Sequence, residues 1–188
     1  MIEDLNSRYG LTPVHSEVVQ ACEIVKPCHA LDMGCSNGRN TLFLGQLGFN
    51  VTALDINSAA IDMLKNISTE LELNNITPKV YDINTANLND DYGFISCTVT
   101  LMFIDPSCAD DVIADMQKCT LPGGFNLIVC AMNTEENPCP VPFPFTLKAG
   151  QLRQAYQGWE LIKYNENVGT MHNGAKLQFA TMLAEKPG

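Results

Sequence analysis

The residues of this chain that could do chemistry stand where short apolar runs give out in an acid. Ala30-Leu31-Asp32-Met33 runs into Gly34-Cys35-Ser36-Asn37-Gly38, and Arg39-Asn40-Thr41-Leu42-Phe43-Leu44 then reads as a helix opening. A glycine turn between a strand and a helix lets a ligand approach the backbone closely, with exposed N–H groups facing it. A second apolar run, Val51-Thr52-Ala53-Leu54, ends at Asp55, about twenty residues on, the spacing of an acid that holds ribose hydroxyls. A third, Lys79-Val80-Tyr81-Asp82, ends in an acid again. Ligands of open parallel sheets bind outside the carboxyl ends of the strands, so Asp32, Asp55 and Asp82 are expected along one sheet edge. The dinucleotide pattern G-x-G-x-x-G fails twice, because its first position would be Asp32 and its last Asn37. An acid beside the turn would repel a pyrophosphate.

What stands instead, Asp32-x-Gly34-x-x-x-Gly38, resembles motif I of class I S-adenosylmethionine-dependent methyltransferases, with Ser36 where such motifs often carry a middle glycine. S-adenosylmethionine carries an α-ammonium and a sulfonium and no phosphate, which suits the acid. The plainer reading is a strand–turn–helix with no ligand. On the methyltransferase reading the cofactor-binding residues are Asp32, Gly34, Cys35, Gly38 and Arg39 around the first turn and Asp55 with Ile56 at the second strand end. Asp82 and Ile83 complete the set at the adenine, with Thr98 on the cofactor's other side. The Asp82 carboxylate would accept from the adenine amino group.

The elements that must position these residues follow from periodicity. Residues 1–27 form an arm whose polar start, Tyr9-Gly10-Leu11-Thr12-Pro13, precedes a helix from about Val14 to Val25 that Lys26-Pro27 stops. Such an arm can fold over a cofactor at the strand tips, with Tyr9 and His15 as contacts; a surface tyrosine and a helix-start histidine are the plainer alternatives. Asn57-Ser58 caps a helix to about Leu73, apolar at Ile61, Leu64, Ile67 and Leu71. Tyr92 to Val99 is a nearly all-apolar strand, as a central parallel strand should be. Asp105 caps a helix to about Lys118, and Leu121-Pro122-Gly123-Gly124 turns into the strand Phe125–Cys130. The alternation predicts an open α/β sheet. Next comes a stiff loop, Asn137 to Phe145, with four prolines, which is either a wall over the methyl group or a cover for the core. A helix Lys148–Tyr156 and strands at Trp159–Tyr164 and Leu177–Ala184 follow.

At 188 residues the chain is expected to be a single domain. Its net charge of −10 argues against a nucleic-acid or anionic-membrane partner. No apolar run approaches the ~18 residues of a membrane span, and the acidic start Met1-Ile2-Glu3-Asp4-Leu5 is unlike a signal peptide. A cytoplasmic protein is expected. The eight cysteines include no C-x-x-C pair, so no structural metal is expected. Cys97 and Cys130 fall inside strands, where a free thiol packs as a small hydrophobe.

Over nearly its whole length the chain also resembles the tellurite-resistance methyltransferases (TehB). The carrying segments include His15-Ser16-Glu17-Val18, Leu31 to Asn40, Leu101-Met102-Phe103, Met116 to Thr120, Gly158-Trp159-Glu160, Lys163 to Glu166 and Phe179 to Ala184. The resemblance implies a Rossmann-like class I methyltransferase fold, mostly parallel with an antiparallel C-terminal hairpin. It also implies methyl transfer from S-adenosylmethionine to tellurite, and to selenium oxyanions, giving volatile products. It puts Gly34 and Arg39 at the methionine end, Asp55 at the ribose, Asp82 and Ile83 at the adenine, and His172 beside the substrate. The family carries an Arg after that His and another shortly before the last strand, whereas this chain reads Met171-His172-Asn173-Gly174-Ala175-Lys176. A single lysine ammonium lacks the bidentate fork of arginine. Transfer from a sulfonium is an in-line displacement in which the protein aligns the partners and excludes water; His172 would take a proton from, or orient, the oxyanion. The rival readings are a methyltransferase for a small thiol or other soft metabolite, and a non-catalytic cofactor-binding protein whose thiols consume tellurite.

Overall fold

The computed structural model describes residues 8–170 and 174–188. Seven strands form one sheet, in the order β3-β2-β1-β4-β5-β7-β6. Strands β1 (His29–Met33), β2 (Asn50–Asp55), β3 (Ile76–Val80), β4 (Tyr92–Thr98) and β5 (Thr120–Ala131) run parallel. Strands β6 (Glu160–Thr170) and β7 (Lys176–Glu185) form an antiparallel hairpin whose second strand pairs with β5. This is the doubly wound class I arrangement that the sequence predicts.

Helices cover both faces, so the inner strands are apolar on both sides. On one face α1 (Ser16–Ala21), α2 (Arg39–Gln46) and α3 (Ser58–Glu70) bury Val18, Leu42, Ile61 and Leu64 against Ala30, Val51 and Phe94. On the other, α4 (Ala109–Lys118) and α5 (Gln151–Ala155) pack Val112, Ile113, Met116 and Leu152 on Leu31, Ile95, Cys97 and Ile128. Cys97 and Cys130 are fully buried in β4 and β5. None of the described helices is long and apolar enough to cross a membrane.

Several element ends differ from the sequence prediction, each for a local reason. Helix α1 spans Ser16–Ala21 rather than Val14–Val25. His15 closes its start, and tight turns from Glu23 to Gln20 and from Ile24 to Ala21 unwind its end. Helix α3 stops at Glu70 rather than Leu73, because Glu72 turns left-handed (φ 55°) and the Leu73 N–H reaches back to the Ser68 carbonyl. Strand β3 begins earlier than predicted and ends at Val80; it tolerates Pro78 because it is an edge strand. Strand β5 takes in Pro122-Gly123-Gly124, which the sequence reads as a turn. The Gly123 N–H bonds to the Lys186 carbonyl and the Lys186 N–H to the Gly124 carbonyl, so this stretch is paired.

Candidate functional site

Strand order reverses between β1 and β4, and the cleft outside their carboxyl ends is where such sheets bind ligands. Two adjoining hollows of about 440 and 360 Å³ open there, sharing Gly34, Ser36 and Val99 as a common wall. A larger groove of about 650 Å³ runs along the end of α3 past Lys65, Ser68 and Glu72. The hydroxyls of Ser68 and Thr69 there donate to carbonyls of their own helix. Asp55 and Asp82 both line the first of the smaller pair, which is therefore the candidate site.

The turn after β1 explains its glycines. Gly34 has φ 75°, and a Cβ on it would lie 2.2 Å from the Thr100 hydroxyl oxygen, so the β1 and β4 exits interlock only without a side chain. Gly38 begins α2 at φ 89°, where a Cβ would meet a Leu64 methyl at 2.3 Å. Ser36 between them takes φ 48° and donates its N–H to Asp55 Oδ2 at 2.8 Å. This bond is how a serine replaces the usual glycine: the acid from β2 holds the strained turn in place.

The larger hollow has nucleoside chemistry. Asp55 Oδ1 accepts from the Asn57 N–H at 2.8 Å, and each carboxylate oxygen keeps a further lone pair for a ligand hydroxyl. Asp82 stands beyond β3, where Oδ1 accepts from the N–H and the side-chain amide of Asn84, both at 3.0 Å. Asn84 Oδ1 in turn accepts from the Asp105 N–H at 2.8 Å, tying the turn after β3 to the loop after β4. Ile56 and Phe103 flank this hollow with exposures of 66% and 63%, a large apolar surface in water that suits a flat base. Phe143 of the proline-rich loop packs edge-on against Phe103 at 5.3 Å, and the Phe145 N–H donates to the Met102 carbonyl. The loop thus backs the cleft wall through Phe143 and covers the core through Phe145.

The smaller hollow takes the opposite charge. Arg39 lines it, its Nη1 donating to Thr12 Oγ1 at 3.3 Å and to the Pro13 carbonyl at 3.2 Å. Asn40 accepts the His15 N–H at 3.0 Å and donates to Thr98 Oγ1 at 3.1 Å. Two successive residues of α2 therefore bind the arm to the sheet, and Gly10, Leu11 and Thr12 form its wall on the cleft. Cys35 also lines this hollow. Burial, reinforced by Asp32 and Asp55, pushes its thiol far above the ordinary range, so it stays protonated and unreactive.

Of the sequence-predicted residues, the cleft brings together Gly34, Cys35, Arg39, Asp55, Ile56, Asp82, Ile83 and Thr98. Gly38 shapes the turn from behind. Asp32 lies beneath the floor, 1% exposed, with Thr41 Oγ1 donating to it at 2.6 Å. Burial pushes its carboxyl up to about 6, against the opposing pull of the Thr41 bond and Arg39. His15 caps α1, its Nδ1 accepting from the Glu17 N–H, and burial followed by the Arg39 charge lowers its pKa. Tyr9 packs on the core beside Leu11 with the Arg8 guanidinium over its ring. Neither lines the two hollows, which the arm meets through Gly10, Leu11 and Thr12. His172 lies outside the described residues. Among the described residues no group of three or more histidines, cysteines and acids is placed to hold a metal ion. Sequence reasoning missed Thr12, Asn40 and Asn84, whose amide and hydroxyl bridges join distant segments and leave no spacing signal.

These residues fit a nucleoside joined to an amino acid: free lone pairs and apolar flanks on one side, a guanidinium on the other, and a glycine cradle between. The comparisons agree. The family model described as "Tellurite resistance protein TehB" matches residues 3–183. A probable S-adenosyl-L-methionine-dependent methyltransferase TehB of Haemophilus influenzae strain 10810 is 44% identical over 187 residues, covering 96% of this chain and 65% of that protein. A protein named Hemagglutinin 1 from Eikenella corrodens is 44% identical over 189 residues, covering 97% of this chain and 63% of that protein. The crystal structure of TehB from Haemophilus influenzae superposes with a TM-score of 0.93 at 42% identity, covering 97% of this chain and 65% of that one. The chain thus spans 65% or less of the length of these relatives. With the family model matching residues 3–183 and the fold superposing over 97% of its length, the chain belongs to the tellurite resistance protein TehB family.

Proposed function

We propose that this chain binds S-adenosylmethionine across the two hollows and transfers its methyl group to a small soft acceptor, tellurite and selenium oxyanions first among them. The observation that carries the reading is the pairing of Asp55 on one side of the Gly34 turn with Arg39 on the other, which matches the two ends of that cofactor. Asp55 would accept the ribose hydroxyls, Ile56 and Phe103 would hold the base, and Arg39 would hold the carboxylate while keeping its bonds to the arm. Bound there, S-adenosylmethionine would supply a methyl group already activated on a sulfonium. The arm and the Phe103–Phe143 wall would keep water from the transfer. The tellurite assignment rests on family membership. His172 is the proposed group that orients the oxyanion or accepts its proton. The chain would act as one domain, with the described part of the N-terminal arm, residues 8–27, as its cap.

One observation favours a thiol or other soft metabolite as a second reading. Arg39 is the one cationic side chain lining the cleft among the described residues, and the adjoining hollow carries the exposed apolar side chains of Ile56 and Phe103. The two separate in one experiment. Purified protein is given S-adenosylmethionine with tellurite, selenite or a panel of small thiols, and S-adenosylhomocysteine is counted against enzyme. Many turnovers on tellurite, falling sharply in His172→Ala, are expected. Turnover on thiols alone would move the acceptor to the second reading. Tellurite consumed once per protein without cofactor would refute the enzyme reading altogether.

A further inference from the structure

Val99 follows β4 at φ 58°, a left-handed backbone that a β-branched side chain adopts only under constraint. Single residues held this way store strain and persist where the surroundings over-determine them. The surroundings here do so from both sides. The Val99 N–H donates to the Val129 carbonyl at 2.7 Å. Before it, Thr98 is anchored by the Asn40 amide. After it, the Thr100 hydroxyl donates back to the Thr98 carbonyl at 3.2 Å, and its side chain fills the space that a Cβ on Gly34 would need.

The position explains what the strain achieves. Gly34, Ser36 and Val99 are common to both hollows, and of these three Val99 alone has an apolar side chain, half-buried and packed on one side against the core. Resting on the S-adenosylmethionine reading above, the atom that joins the nucleoside to the amino acid is the sulfur, so it passes this shared wall. We propose that Val99 is a specificity-determining residue for the methyl donor, its isopropyl group forming the contact surface for the sulfur-bearing junction at the expense of backbone strain. An extended backbone at this position would swing the side chain elsewhere, so the contact and the strain come together. Stability and recognition of the whole ligand then change with opposite signs on substitution, which a packing role would not produce.

The test compares wild type with Val99→Gly and Val99→Asn, the two residue types that tolerate the left-handed region. Calorimetry is run with S-adenosylhomocysteine, which crosses the junction, and with adenosine, which occupies the nucleoside side only. Melting temperature is taken on the ligand-free proteins. Val99→Gly should weaken S-adenosylhomocysteine about tenfold, the scale of a lost apolar contact, with adenosine changed less than about twofold. At least one of the two variants should melt at or above wild type. Equal losses for both ligands, an unchanged S-adenosylhomocysteine affinity, or melting points below wild type in both variants would overturn the proposal. Wild type that binds adenosine and not S-adenosylhomocysteine, or binds neither, would instead remove the cofactor reading beneath it.

Discussion

Replacing Asp32 with asparagine should stabilise the protein at neutral pH and leave it nearly unchanged in acid. The carboxyl is 1% exposed and its pKa rises from 3.8 to about 6, chiefly through burial. The folded chain therefore holds this proton more tightly than the unfolded chain. Folding takes up a proton between those two values, so stability falls as pH rises from about 4 to about 6. At about 1.4 kcal/mol per pH unit, the ionised carboxylate costs the native state about 3 kcal/mol above that window and nothing below it. In Asp32→Asn the new side-chain carbonyl can accept the Thr41 O–H as the acid does. Ser96 is the register partner on the neighbouring strand β4, and its buried hydroxyl, without a hydrogen-bond partner among the described residues, offers the new amide an acceptor. Urea titrations of both proteins at half-unit steps from pH 4 to 7.5 would measure the effect. The variant's advantage should open across the window to about 3 kcal/mol, or about 6–12 °C in melting temperature for a chain of this size. A gap that stays constant with pH would refute the reasoning.

Three more outcomes follow from the same geometry. Gly38→Ala should cost about 2–5 kcal/mol, combining a left-handed alanine with overpacking against Leu64. Adding Leu64→Ala should recover part of that cost, and strictly additive losses in denaturant melts would remove the clash as its cause. Tyr156→Phe should destabilise by about 1–3 kcal/mol by orphaning the buried Asn126 amide that donates to the phenol oxygen at 2.8 Å; an unchanged urea midpoint would count against it. Asp55→Ala should weaken adenosine binding about 10- to 100-fold, the value of charge-assisted bonds to the ribose. Calorimetry showing unchanged affinity would place the ribose elsewhere.

The sheet was legible because burial on both faces writes itself into composition: β4 could hardly be anything but a central strand. The acid-ended strands were legible too, since position along a strand fixes which end of the sheet a residue reaches. Depth was not. Asp32 and Asp55 look alike in sequence, yet the pleat turns one toward α2 and leaves the other at the rim. Position along the strand gives the end of the sheet and not the side of the floor. Nor could spacing show that Asn84 joins two loops or that Val99 would be left-handed, because both depend on neighbours far away in the chain. Order along the chain brings the arm to the cleft, but which of its residues form the wall, Gly10, Leu11 and Thr12, is set by the bonds from Arg39 and Asn40 rather than by spacing.

The hairpin carries a consequence for how the chain is made. Strand β7 follows β6 in synthesis but separates it from β5 in the finished sheet. While residues 160–170 are emerging from a ribosome, the edge of β5 that they lie nearest in sequence is not the edge they will join. The nascent chain must carry β6 unattached until Lys176–Glu185 arrives and binds β5 on one side and β6 on the other. Through that interval the β5 edge, with its apolar run Leu127–Ala131, is open to any passing strand. Translation speed over this short stretch, and the presence of a holding chaperone, then decide how much of each new chain escapes strand exchange with its neighbours.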